Sequence, residues 1–180
     1  MFRLTLLILL AAAPLLAQTP TAPKHSKTPA DSIDDKWLAQ VSPLENRARQ
    51  ILKVELSRKP GPACDDAKYL VKFSNAEYTR CHEADEAITQ HNYEAFVDAL
   101  SASLSILPSD EDPSVYPLPS RNFTTAEAAW RTYLDKTCLA LGDTFGGGTG
   151  AGAAIARCQQ SLTREHMKDL NEIFLERKFS

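Results

Sequence analysis

Four cysteines, Cys64, Cys81, Cys138 and Cys158, all lie downstream of an N-terminal run that reads as an export signal. Arg3 gives a short positive start, and Leu4 to Leu16 is apolar apart from Thr5 and Pro14. Ala17 then offers a small residue at a cut before Gln18. Such a run is too short to cross a hydrocarbon core of ~30 Å, so residues 1–17 are expected to be a cleaved signal peptide. No later segment is apolar enough to span a membrane, and the expected destination is periplasmic or secreted. An even number of cysteines in an oxidising compartment reads as two disulfides. Zinc is the poorer reading, because the chain has no C-x-x-C. Four cysteines allow three pairings, and we expect the local one, Cys64 with Cys81 and Cys138 with Cys158.

The formal net charge is −3. Cleavage removes Arg3 and no acid, so the mature chain is one unit more negative. A mildly acidic balance argues against nucleic acid or an anionic membrane as partner and is compatible with a basic one.

Capping signals and hydrophobic spacing predict helices throughout. Residues 18–31 are rich in Pro, Thr and Lys and read as a disordered tether. A short helix is expected around Ile33 to Gln40. Ser42-Pro43-Leu44-Glu45 then has the form of a fresh helix start. The helix it opens carries Leu44, Ala48, Ile51, Leu52 and Val54 or Glu55 inward, until Pro60-Gly61-Pro62 stops it. Ser74-Asn75-Ala76-Glu77 is a second capping box. It opens a long helix to Leu107, with Cys81, Ala84, Ile88 and Asn92 as a thin early stripe and Tyr93, Phe96, Val97, Leu100 and Leu104 as a stronger later one. Four prolines mark 108–123 as a loop. Thr124-Thr125-Ala126-Glu127 is a third capping box, followed inward by Trp130, Tyr133, Leu134, Cys138 and Leu141. Six glycines crowd Gly142 to Gly152. A last helix is expected from Ala153 to Arg177, with Ile155, Cys158, Leu162, Leu170, Ile173 and Phe174 inward. With no alternating strand pattern, the fold class is an all-α, disulfide-stapled bundle of four to five helices. The helices on either side of the Pro-rich loop are expected to pair. The last two form a hairpin stapled at its mouth by Cys138 and Cys158.

No residues are assigned to catalysis, a cofactor or a metal. Gly146-Gly147-Gly148-Thr149-Gly150 lacks the Lys-Ser/Thr and the preceding strand of a phosphate loop. His82-Glu83-Ala84-Asp85-Glu86 lacks the second histidine of a zinc helix and reads as a solvated acidic face. His166 reads as a hydrogen-bonding residue at the core edge. Trp130 and Tyr133, at helical spacing, read as core. Asn122-Phe123-Thr124 fits a glycosylation sequon, of consequence only in a eukaryotic secretory host.

One set of residues does carry a family likeness. Ala129-Trp130, Tyr133, Asp135 and Cys138 are followed by the glycine loop with Gly147, Gly148 and Thr149, then by Cys158, Thr163 and Leu170. In that order they resemble the LprI-type lysozyme inhibitors, exported bacterial proteins. Cys64, Cys81 and Ala84-Asp85 extend the likeness upstream. The chain departs from the family pattern at Glu127, Leu134 and His166. On this reading residues 32–62 are an added helical element, and 63–177 form the family domain. The resemblance implies a stapled helical domain and inhibition by binding a lysozyme or related muramidase. An envelope interaction module without that activity is the rival reading. The loop around Asp110 to Tyr116 and the glycine-rich loop are the candidate contact segments. Oligomeric state is not encoded in any of these features.

Overall fold

The computed structural model describes residues 29–65, 73–108 and 118–176. Four helices carry it: α1, Pro29–Ser57; α2, Asn75–Leu104; α3, Pro119–Asp143; and α4, Ala151–Leu170. A 3₁₀ turn, Pro62–Cys64, follows α1, and a π turn, Asn171–Leu175, prolongs α4. The fold is all-α, as expected. The signal 1–17 and residues 18–28 of the expected tether lie outside the described residues.

The two expected N-terminal helices are one. α1 begins at Pro29, inside the stretch read as a tether, and runs through Pro43. Ser42 therefore caps nothing. Pro43 cannot donate to the Ala39 carbonyl four residues back, which ordinarily breaks a helix. Here its ring is exposed, and tertiary contacts hold the helix on both sides of it. Upstream, the Trp37 indole donates to the Ile106 carbonyl at 2.8 Å. Val41 and Ala48 are buried on either flank.

α2 starts where its capping box predicts. The Ser74 hydroxyl accepts from the Glu77 amide, and the Glu77 carboxylate accepts from the Ser74 amide at 2.8 Å. Ser74→Ala is expected to cost about 1 kcal/mol, read as a lower urea midpoint with an unchanged slope. At its far end α2 stops at Leu104, short of Leu107, where the Ser103 and Ser105 hydroxyls turn back onto the Leu100 and Ser101 carbonyls.

The third capping box is a correction. α3 begins earlier, with Pro119 at its first position. Thr124 and Thr125 lie inside it and bond back to the Ser120 and Arg121 carbonyls at 2.8 and 3.0 Å. Both hydroxyls satisfy themselves on the preceding turn, so the Thr-x-x-Glu spacing serves no cap. Glu127 instead turns inward.

One contiguous core joins the elements. Ala48 and Leu52 come from α1, Tyr93, Phe96, Val97, Ala99 and Leu100 from α2, Phe123 from α3, and Met167 and Leu170 from α4. Each large side chain removed from water contributes roughly 1.5–3 kcal/mol. α2 is the central helix and packs chiefly on α1 and α4, while α3 packs chiefly on α4. The expected pairing of the helices flanking the Pro-rich loop is therefore wrong. α2 spends its apolar face on Ala48, Leu52 and Met167, and α3 meets it mainly through Glu127 and Trp130.

The expected early stripe on α2 is wrong at two of its four positions, while Cys81 and Asn92 are partly buried as expected. Ala84 and Ile88 are exposed, and the buried face is His82, Asp85 and Thr89. The expected solvated acidic face thus holds two of the buried polar residues of the molecule. The reason is that α1 and α4 present polar groups to this stretch.

Candidate functional site

The last two long helices form the expected hairpin. Cys138, fully buried on α3, bonds to Cys158 on α4, with Cα atoms 5.5 Å apart. A second bridge, Cys64–Cys81, fixes the 3₁₀ turn to α2. All four sulfurs are thereby used, in the local pairing, which leaves no thiolate for zinc or nucleophilic chemistry.

The hairpin tip, 144–150, is shaped by hydrogen bonds rather than by length alone. The Phe145, Gly146, Gly148 and Ala151 amides donate to the Gly142, Asp143, Phe145 and Gly148 carbonyls at 2.9–3.1 Å. This path needs φ values of +57° at Gly146 and +75° at Gly147, which side-chain-bearing residues adopt only with strain. Phe145 stands 48% exposed at the turn, its ring against Gly150. The tip is also tied to the central helix. Asn75 Nδ2 donates to Thr149 Oγ1 at 2.9 Å, and Arg157 Nη1 donates to the Tyr78 hydroxyl at 2.8 Å.

Beneath the hairpin lies an aromatic stack. The Trp130 and His166 rings lie 4.0 Å apart and 8° from parallel, and Tyr93 meets Trp130 at 5.1 Å. Glu127 is 5% exposed and closes the stack. It accepts the Tyr93 hydroxyl, and His166 Nε2 lies 3.0 and 3.2 Å from its two oxygens. Burial pushes the Tyr93 phenol well above its usual range, and the neighbouring Glu127 pushes the same way against Arg131. The phenol is thus a fixed donor. His166 is the hydrogen-bonding core-edge residue expected of it.

A second polar cluster, which nothing in the sequence reading assembled, joins three helices. Glu55 of α1 is fully buried. Its carboxylate accepts from Thr89 and Asn92 of α2 and from Arg164 Nε of α4, each at 2.7 Å. Arg58 adds two more donors, at 3.0 and 3.1 Å. Arg58 also pairs with Asp85, and Gln160 Nε2 reaches the other Asp85 oxygen at 3.0 Å. Two carboxylates meet two guanidiniums, so the cluster is neutral. Burial alone would raise the Glu55 carboxyl, but the bonds from Arg58, Thr89, Asn92 and Arg164 outweigh it and hold the group at about 2.

The residues singled out from the sequence fall into two groups. Trp130 is half-buried in the stack, and Thr163 and Leu170 are buried on α4. Tyr133, Asp135, Gly147, Gly148 and Thr149 are exposed. Tyr133, at 58% exposure, is therefore not core, and neither is Leu141 or Ile173. Asp135 faces Glu86, whose carboxyl is raised by burial and by that neighbouring charge. The loop around Asp110 to Tyr116 lies outside the described residues.

These features define a class: a helical protein clamped by two disulfides, with buried polar scaffolding under a rigid exposed turn. Within that class the chain belongs to the LprI family, whose model, described as lysozyme inhibitor LprI, matches residues 71–170. No curated protein and no solved structure gives a match. Among the described residues no helix is long and apolar enough to cross a membrane.

Proposed function

We propose that this chain is an exported, lysozyme-inhibitor-like protein of the cell envelope that acts by protein–protein binding and not by catalysis. The observation that carries the reading is the family match over residues 71–170. The N-terminal run at 1–17 supports export, with cleavage delivering the chain to the periplasm or beyond. Half-buried Trp130 and buried Thr163 and Leu170 support the hairpin from within. The exposed ones, Tyr133, Asp135, Gly147, Gly148 and Thr149, are the part of the motif that a partner can reach. Mature protein starting at Gln18 is expected to slow cell-wall lysis by an animal-type lysozyme at micromolar concentration. Undiminished lysis at micromolar excess would overturn the reading.

A further inference from the structure

We infer that the cleft between the end of α1 and the adjoining face of α4 binds a small amphipathic anion, with an oxyanion head such as a carboxylate and an apolar body. Binding there neither requires nor excludes a lysozyme partner.

The cleft has a volume of about 760 Å³, within the range of roughly 300–1,000 Å³ that small-molecule sites occupy. Arg157, Ser161, Arg164 and Lys168 recur at helical spacing on α4 and line it over about 16 Å. Leu56 at the end of α1, Pro60 just beyond it and Leu141 of α3 line it too. Leu56 and Leu141 are 43% and 42% exposed, large apolar side chains left open to water. The Cys138–Cys158 bridge brings Leu141 to the N-terminal half of α4, whereas Arg164 and Lys168 lie in its C-terminal half. The cleft therefore offers an apolar region and a cationic end, the pattern an amphipathic molecule matches.

The sign of the head group follows from the charges. Three cations, Arg157, Arg164 and Lys168, line the cleft against one acid, Glu165. With Glu55, Asp85 and Arg58 beneath them counted in, cations still outnumber acids, in a chain whose net charge is −3. Glu83 stands against Gly152, outside the lining. Arg157 is turned to the Tyr78 hydroxyl, so the head group falls to Arg164 and Lys168. Lys168 is paired with Glu165, but both side chains are exposed, and such a pair is worth little against a better partner. Arg164 gives its Nε to Glu55, while its Nη2 is buried and has no acceptor among the described residues. A buried guanidinium N–H without an acceptor keeps the whole cost of leaving water. An oxyanion drawn to this guanidinium supplies the acceptor, in the stronger bond that opposite charges make.

The test is a chemical-shift titration of the oxidised mature protein with four probes: octanoate, acetate, 1-octanol and octylammonium. Octanoate is expected to saturate in the millimolar range or below, shifting the Gln160 to Lys168 amides and the Leu56 and Leu141 methyl groups. Acetate, without the apolar body, is expected to bind about tenfold or more weakly. Octanol and octylammonium, without the negative head, are expected to bind more weakly by a similar factor. Lys168→Gln and Arg164→Lys should each weaken octanoate binding about tenfold. Lys136→Gln, the same loss of charge on the exposed face of α3, should leave it within about twofold. Arg164 also holds Glu55, so Lys168→Gln carries the decision if Arg164→Lys melts early. Octylammonium or octanol binding as tightly as octanoate would show that the cleft selects no anion. Wild-type affinity in Lys168→Gln, or no saturable shift along the cleft, would equally overturn the assignment.

Discussion

Glu55→Ala is expected to lower the melting temperature of the oxidised protein by about 10 °C. The carboxylate it removes is the hub for Arg58, Thr89, Asn92 and Arg164. Without it the partly buried Arg58 and Arg164 guanidiniums lose the carboxylate they share, and Asp85 is left to answer Arg58. Breaking one partner out of a buried ionic cluster typically costs about 3–5 kcal/mol, because the remaining charge keeps its desolvation penalty. In a domain of this size 1 kcal/mol corresponds to about 2–4 °C. Thermal unfolding followed by circular dichroism measures the loss, and a drop below about 3 °C would show the cluster to be energetically idle. The same group predicts the response to acid. Its folded-state value, about 2, lies below the ordinary 4.5. A depressed carboxyl contributes stability that is fully present above its unfolded value and is lost as the pH falls through the folded one. Wild-type stability should therefore decline from about pH 4.5 down to about pH 2, and the Glu55→Ala variant should decline less steeply across the same window. Equal slopes in the two proteins would rule out Glu55 as the source.

Replacing Cys138 and Cys158 together by Ser is expected to cost about 3 kcal/mol, the loop-closure entropy of a bridge spanning 20 residues. The double variant avoids leaving a lone thiol that could scramble with the Cys64–Cys81 pair. Urea unfolding under oxidising conditions measures it. Folding should survive, because the Trp130 ring still stacks on His166 and Glu127 still holds the same imidazole. The tip should suffer more than the melting point suggests. With its mouth unclamped, protection of the Gly146 to Gly150 amides against hydrogen exchange is expected to fall further than that of the Phe96 to Leu100 amides in the core. A uniform loss along the chain would mean the bridge acts on the whole fold and not on the hairpin.

The two capping readings show how much of this was legible and why. Ser74 and Glu77 lie at a true helix start, where both halves of the capping box are made. Ser42 and Thr124 show the same spacing inside helices that tertiary contacts extend past them. A capping box states only that a start is possible there. Trp37 on the Ile106 carbonyl and Phe123 in the core decide otherwise. The Cys138–Cys158 bridge and the α3–α4 hairpin were readable because these two cysteines flank a short glycine-rich loop. The later α2 stripe was readable because it is apolar. The earlier stripe was not, since Asp85 and Thr89 are inward by virtue of partners on α1 and α4 far along the chain. Glu55 stood at an inward position by spacing, yet no single-helix pattern distinguishes a carboxylate awaiting two arginines from one facing water. Glu127 was misread for the same reason, its partners Tyr93 and His166 being 34 and 39 residues away.

The Glu55 cluster also bears on where a foldable unit begins. The recognisable family segment opens at residue 71, whereas Glu55 and Arg58 sit upstream of it and complete the polar interior of α2 and α4. An expression clone cut at the homology boundary would strip Ala48 and Leu52 from the apolar centre and leave Asp85 and Arg164 staring into solvent. For this molecule the natural edge of a minimal recombinant fragment is the beginning of α1.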